Sequence, residues 1–521
     1  MKSWRKLYLV GVAGAAILFY LGVAALQTAP GFPLDDAWIH QVFARNLGLH
    51  GQFAYNPGQV VAGSTSPLWS LLLAPAYWFG NDFYKLWAYL LGGLCLALTA
   101  HEVFHLSLLL FKPTSGGQRT GEALAAALFT LFEWHLVWAA ASGMETLLFT
   151  FLSLWLVRLW LETERSEIAL VASKPFPKYF ALGLVGGLLT LVRPEGLVLL
   201  ALIGLESGRK WFFNSQNPRN PAILAAKWAG LGGGGLLLIV PYLLFDYASS
   251  GSPLPTTFYA KSNGYASNLT LESTFNYLVA ACGEMVSHSS LLFLLMLGAG
   301  YALILLAQAG ARTIMGQVDW RLLVWPLVML WLYALRLPVT YQHSRYLIPL
   351  YPFLILYGVW AAGRLREYLI TLHLAKVAMA IPLLVGLALA ITFYYGAITY
   401  QSDVQIINDE QVQVGQWLHD NTPPDALIAS HDIGAIAYFS GRRIVDTAGL
   451  VSPEFAPIVR DEPAILAKLQ TAGVNYFALM PNWYPNLYQQ LSAQKRQIFQ
   501  PGQIYLTQFG PGNLMRVFKL P

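Results

Sequence analysis

Apolar runs long enough to cross a bilayer recur through the first four hundred residues of this chain, and no other feature limits its fold as much. They fall at about 7–26, 67–111, 122–142, 144–161, 179–205, 223–245, 287–308, 322–337, 346–363 and 377–398. A helix needs about 20 apolar residues to span the hydrocarbon core. Lipid offers the backbone no hydrogen-bond partners, so such runs must satisfy their N–H and C=O groups within helices. Only 11% of the 521 residues are charged, against 56% hydrophobic; a soluble globular protein carries about 25% charged residues. An ordinary soluble protein is thereby excluded. The net charge of +5 is small for this length, so the Lys and Arg read as orientation signals, and no nucleic-acid partner is expected. Cys95 and Cys282 show neither metal spacing nor a disulfide framework.

The charges between the runs set an orientation. Lys2, Arg5 and Lys6 precede the first run, which is longer than the roughly 7–15-residue apolar core of a cleaved signal peptide. It reads as an uncleaved first helix with its N-terminus inside; cleavage after Ala29 is the alternative. Basic connections (Lys112 and Arg119; Arg165, Lys174 and Lys178; Arg209, Lys210 and Arg219; Arg312 and Arg321; Arg364, Arg366 and Lys376) alternate with connections poorer in Lys and Arg at 27–66, Ser142–Gly143, 246–286 and 338–345. The positive-inside rule places the first set in the cytoplasm and the second outside.

This alternation closes if 179–205 forms two short helices with Arg193-Pro194-Glu195-Gly196 at their outer turn, where Pro breaks the helix. It also requires 67–111 to make one crossing plus a re-entrant or surface piece near 67–82. The expected total is about 11 crossings. After Thr399, Gln, Asn, Asp and Pro become common, and helix-like stretches (408–421, 461–471, 484–495) alternate with strand-like ones (427–430, 443–446, 476–479, 515–518). The expected architecture is a polytopic α-helical membrane module, 1–399, with an extracytoplasmic α/β domain, 400–521.

Two adjacent carboxylates, Asp35 and Asp36, stand in the first external loop, 28–66. Pro33 suits the first turn of a helix. From there Ile39, Val42, Phe43 and Leu47 form an apolar stripe expected to lie on the membrane surface. Asp35 continues that stripe, and Asp36 pairs with His40 one turn on. Capping through the helix dipole accounts for Asp36 as well as a functional role does. A carboxylate on a buried face, such as Asp35, needs a partner or a task.

An acidic pair in the first external loop resembles the GT-C superfamily of membrane glycosyltransferases, and most closely the mycobacterial-type arabinofuranosyltransferases that use decaprenyl-phosphate arabinose. The matching stretches are LDDAWI (34–39), ARNL (44–47), FAYNPGQVVAGSTSPLW (53–69), SGMETLL (142–148), RPEG (193–196), GSPLPTTFYAK (251–261), SRYLIP (344–349), HDIGAIAYFSG (431–441) and DTAGLVSPE (446–454). Two elements depart from the family pattern. Val61-Ala62-Gly63-Ser64-Thr65-Ser66 lacks the usual acidic residue, and Pro255-Thr256-Thr257 replaces Pro-Asn-Thr. Both lie near the expected sugar site and leave the sugar open.

The resemblance implies a GT-C fold, a polyprenyl-phosphate sugar donor, a glycan or glycolipid acceptor, and a place in the bacterial cytoplasmic membrane among its lipids. Displacement at an anomeric carbon needs one base for the acceptor proton, and the departing phosphate needs cations or a metal. The resemblance implies Asp35 as base, with Asp36 supporting it or holding Mg2+ or Mn2+. Candidate phosphate binders are Arg45, Arg193, Lys261, His343 and Arg345, with Tyr346 beside the last. Lipid-headgroup snorkelling is an equal alternative for Arg45 and Lys261, and a structural pair with Glu195 is the lesser alternative for Arg193. Glu145, Asn56, Thr65 and Ser66 are candidates for acceptor or sugar contacts, with dipole and turn roles open for Glu145 and Asn56. The competing class is a polytopic transporter or flippase of lipid-linked sugar. Such a protein commonly shows internal repeats and midplane ionisable groups, whereas here no repeat is found and the polar residues gather at the outer ends of the runs.

Overall fold

The computed structural model describes residues 3–80, 82–110, 119–169, 174–213, 220–259, 270–309, 319–502 and 511–520. The first half runs through α1 (Ser3–Ala24), α2 (Asp35–His50), a hairpin of β1 (Ala54–Asn56) and β2 (Gln59–Val60), α3 (Pro67–Leu73), α4 (Phe83–Leu110), α5 (Arg119–Phe132) and α6 (Trp134–Ala141). It continues through α7 (Thr146–Ala169), α8 (Pro175–Val192), α9 (Gly196–Phe213) and α10 (Pro221–Ser250).

The chain is a multi-pass membrane protein. Six helices are long and apolar enough to span a bilayer, and eight if each of two bent pairs counts as one span. The bent pairs are α5 with α6, at 52°, and Leu271–Val286 with Leu291–Ala307, at 104°. Reaching the eleven crossings expected requires adding three more apolar helices. Of these, α1 and Trp320–Arg336 are short, and α9 carries Glu206, Arg209 and Lys210. The run 67–111 divides into α3, a 3-10 turn at Ala74–Trp78 and the single long α4. The run 179–205 divides at Arg193-Pro194-Glu195, where Arg193 is extended and α9 restarts at Gly196.

Close packing follows from small residues. A Cβ on Gly183 of α8 would lie 2.3 Å from the carbonyl oxygen of Leu231, and one on Gly234 of α10 would lie 2.2 Å from that of Phe180. Gly183, Gly230 and Gly234 thus let two backbones approach where side chains would hold them apart.

The α/β domain is built on β3 (Leu427–Ser430), β4 (Arg443–Asp446), β5 (Tyr476–Leu479), β6 (Gln497–Phe499) and β7 (Arg516–Lys519), in the order β4-β3-β5-β7-β6. Strands β4, β3 and β5 are parallel; β7 and β6 are antiparallel additions. The boundary expected after residue 399 falls inside a helix. Ala375–Ile407 runs through a π-helical turn at Asn408–Val412 into Gln413–Asn421.

Helix α2 departs from its expected start and setting. Leu34 is extended and caps it, so Pro33 lies outside and the helix begins at Asp35. Residues on several faces are buried: Ala37, Trp38, His40, Gln41, Val42, Phe43, Ala44 and Asn46. The helix is not an amphipathic strip on the membrane surface. It is enclosed between the segment 67–78 and the helix Gly434–Ser440 of the α/β domain.

Candidate active site

Burial of α2 separates the two adjacent carboxylates. One helical step of about 100° sends Asp35 toward the α/β domain and Asp36 toward the membrane module. Asp35 accepts the backbone N–H groups of Gly434 and Ala435, each at 2.7 Å. Burial raises its pKa well above the usual carboxylate range; Asp432 adds to this, and the two N–H groups oppose it. Ten residues on, Arg45 donates to the carbonyl of Tyr438 at 2.8 Å and lies over the Tyr438 ring. The two side chains grip opposite ends of the 434–440 helix, each matched to its dipole. Asp35 does not line the cavity described next, which corrects its expected placement.

That cavity, of about 390 Å³, is walled by Asp36, His40, Ser64, Thr65, Glu145, Arg193, Glu195, Thr257, Tyr333, Arg336, Arg345 and Tyr346 among others. The α/β domain supplies Leu450 to the same wall. Arg345 forms an ion pair with Asp36 and donates to the Tyr346 hydroxyl at 3.2 Å. Arg345 is 4% exposed, whereas the Asp36 side chain is 37% exposed. Among the described residues, Nε and Nη1 of Arg345 have no hydrogen-bond partner.

Glu145, Arg193 and His40 form a second buried cluster. Arg193 donates to Glu145 at 2.7 Å and to Thr146 at 3.2 Å, while its Nη1 has no partner among the described residues. Glu145 also meets His40 at 3.3 Å, and His40 bonds Ser70 on its other nitrogen. Burial works to raise the pKa of Glu145, but Arg193 and His40 hold it well below the usual range. The expected Asp36–His40 pairing is thus replaced by His40–Glu145. The Tyr346 ring lies between the two guanidiniums, 5.0 Å from Arg345 and 5.4 Å from Arg193. Glu195 accepts from the Tyr333 hydroxyl at 2.6 Å.

Other sequence candidates lie elsewhere. Asn56 exchanges two 2.9 Å hydrogen bonds with the backbone of Ile444, extending the sheet edge at β4. Buried Ser66 donates to the Val192 carbonyl at the end of α8. His343 bonds Asp403 at 2.8 Å, and Trp138 donates to the same carboxylate. These three bond distant segments rather than lining the cavity, a correction to their expected substrate-binding roles that applies equally to Arg45. Lys261 lies outside the described residues. Just before Arg345, Gln342, His343 and Ser344 all take left-handed backbone angles, with φ of 57°, 58° and 49°. Sequence reasoning missed His40 as a partner of Glu145, together with Thr257, Tyr333 and Arg336. Only Thr257, within GSPLPTTFYAK, stood in a stretch already marked by the resemblance.

The donor set does not fit a divalent cation at Asp36. Its carboxylate faces a guanidinium, Glu145 faces a guanidinium and an imidazole, and no three His, Cys, Asp or Glu side chains converge among the described residues.

A family model described as "Domain of unknown function (DUF8728)" matches residues 399–510. No curated protein matches the chain. Among solved structures, it is similar to ArnT from Cupriavidus metallidurans in the apo state, with a TM-score of 0.57 and 12% identity, covering 100% of this chain and 99% of that one. The same ArnT bound to undecaprenyl phosphate gives a TM-score of 0.55 at 12% identity, covering 99% and 98%. The oligosaccharyltransferase of Archaeoglobus fulgidus in the apo form gives 0.58 at 13% identity, covering 92% of this chain and 70% of that one. In fold the chain is similar to these structures, a polytopic helical membrane module with a C-terminal α/β region. At these identities the likeness concerns the fold.

Proposed function

We propose that this protein is a glycosyltransferase that moves a sugar from a polyprenyl-phosphate donor to an acceptor hydroxyl at the outer face of a bacterial cytoplasmic membrane, in cell-envelope glycan or glycolipid synthesis. The observation that carries this reading is the Asp36–Arg345 pair in a cavity that also holds Arg193. The ArnT of similar fold is seen bound to undecaprenyl phosphate, which supports a polyprenyl-phosphate ligand here.

Asp36 takes the acceptor hydroxyl proton as the acceptor oxygen attacks the anomeric carbon. The bond from that carbon to the phosphate oxygen breaks, and its electron pair leaves with the phosphate. Configuration inverts in this single displacement. Arg345 and Arg193 oppose the charge that develops on the phosphate, in a cavity where such interactions exceed their strength in water. Asp35 holds the α/β domain, and through it Leu450, against the site.

The test is transfer of radiolabelled sugar from a panel of polyprenyl-phosphate donors, beginning with decaprenyl-phosphate arabinofuranose, in membranes carrying wild type or Asp36→Asn. Wild type is expected to transfer from one donor, and Asp36→Asn to lose about 10²–10³-fold in rate. Lipid-linked sugar crossing the bilayer with no transfer from any donor sinks the reading in favour of a flippase.

A further inference from the structure

Thr257 and Glu195 line the same cavity from two separate segments, the loop after α10 and the break between α8 and α9. The Thr257 residue is 5% exposed, and its Oγ1 has no hydrogen-bond partner among the described residues. Glu195 has one oxygen fixed by Tyr333, while its other oxygen is buried and likewise without a partner among the described residues. A buried polar atom left unpaired costs about 1–3 kcal/mol, so two such atoms lining one cavity mark groups whose hydrogen bonding a ligand there can complete.

Both groups are held in place. The backbone N–H of Thr256 donates to the Ala62 carbonyl at 3.0 Å, and its hydroxyl, 3.1 Å from that oxygen, donates to the Leu450 carbonyl at 2.5 Å. These bonds fix the segment that presents Thr257. Tyr333 fixes the carboxylate plane of Glu195, and the charge of Glu195 adds to that of Glu145 in holding Arg193 protonated. The free oxygen of Glu195 is an acceptor, and a sugar hydroxyl is a donor that completes it.

We infer that Thr257 and Glu195 form a sugar-reading subsite, in which a hydroxyl of a neutral donor sugar donates to Glu195 and a neighbouring sugar oxygen accepts from Thr257. The inference rests on the glycosyltransferase reading and names the part of the substrate that this wall recognises. Thr257 stands in the Pro255-Thr256-Thr257 element, so the departure noted in the sequence sits beside the group that reads the sugar. Sites built to bond a hydroxyl discriminate strongly against analogues that lack it.

The experiment measures binding rather than turnover. Purified full-length protein in nanodiscs is titrated with bare polyprenyl phosphate and with the same lipid carrying arabinofuranose, for wild type, Thr257→Val, Thr257→Ser and Glu195→Gln. Wild type should bind the glycosylated lipid about tenfold more tightly than the bare lipid. Thr257→Val and Glu195→Gln should lose that preference while keeping their affinity for the bare lipid, and Thr257→Ser should retain it. Full preference in both Thr257→Val and Glu195→Gln overturns the inference and leaves the glycosyltransferase reading standing. Wild type that binds neither lipid overturns both, and wild type that binds both equally overturns the subsite alone.

Discussion

Asp35 and Gly434, 399 positions apart in the chain, are joined by a 2.7 Å hydrogen bond from the backbone N–H of Gly434 to Oδ2 of Asp35. A Cβ at position 434 would lie 2.0 Å from the Asp35 carbonyl oxygen. The contact therefore demands glycine for room and a carboxylate for reach, and it locks the α/β domain onto α2.

The lock separates the acidic pair by experiment. Asp35→Ala leaves two buried N–H groups without acceptors and should cost about 1–3 kcal/mol each in stability. Asp36→Asn keeps an acceptor beside Arg345 but removes its counter-charge; it should cost less stability than Asp35→Ala and remove most transfer activity. Thermal unfolding in detergent, read beside the transfer assay, checks both. Full activity in Asp36→Asn would falsify its role as base.

Gly434→Ala should destabilise by about 1–3 kcal/mol, because the added methyl meets backbone that cannot swing away. Gly232→Ala serves as the control, since nothing lies within 4 Å of its Cβ position. Equal melting temperatures for the two variants would remove the steric account.

The buried Glu145–Arg193 pair should behave non-additively. Glu145→Ala strands a buried guanidinium and is expected to cost about 3–5 kcal/mol, while adding Arg193→Met should recover much of that loss. Activity should not recover if Arg193 faces the donor phosphate as proposed. A double-mutant cycle in urea, measured with the transfer assay, tests both halves.

Burial pushes the Asp446 carboxyl up to about 7, against four opposing backbone N–H groups. The unfolded chain releases that proton near 3.9. Between those values the folded protein holds the proton and the unfolded chain does not, so stability falls as pH rises. The slope approaches 1.4 kcal/mol per pH unit at its steepest and flattens above about 7. Asp35, also raised, pulls in the same direction. Melting curves from pH 4.5 to 8 should show this decline in wild type and a shallower one in Asp446→Asn.

What the sequence made legible was local. The break at Arg193-Pro194-Glu195 follows from a proline inside an apolar run, and strands β3, β4 and β5 fall on 427–430, 443–446 and 476–479, as their patterns require. The assignment within the acidic pair was not local. Asp35 finds its partners at 434–435 and Asp36 finds its partner at Arg345, so no periodicity within α2 could tell them apart. Arg45, Asn56 and Ser66 were misplaced for a related reason. Each bonds a backbone carbonyl on a remote element, and a carbonyl leaves no mark in the sequence. The boundary near 399 was blurred because one helix carries the chain out of its apolar region without a turn.

The three left-handed residues before Arg345 bear on how firmly that arginine can be held. Each such conformation costs a non-glycine residue roughly 1–2 kcal/mol, so Gln342, His343 and Ser344 behave as a loaded spring with Arg345 at its tip. The catch is the His343–Asp403 contact on the helix Ala375–Ile407. That bond ties the strained segment, and Arg345 at its end, to a helix leading into the α/β domain. A histidine outside the cavity lining thereby anchors the segment that presents Arg345 to Asp36.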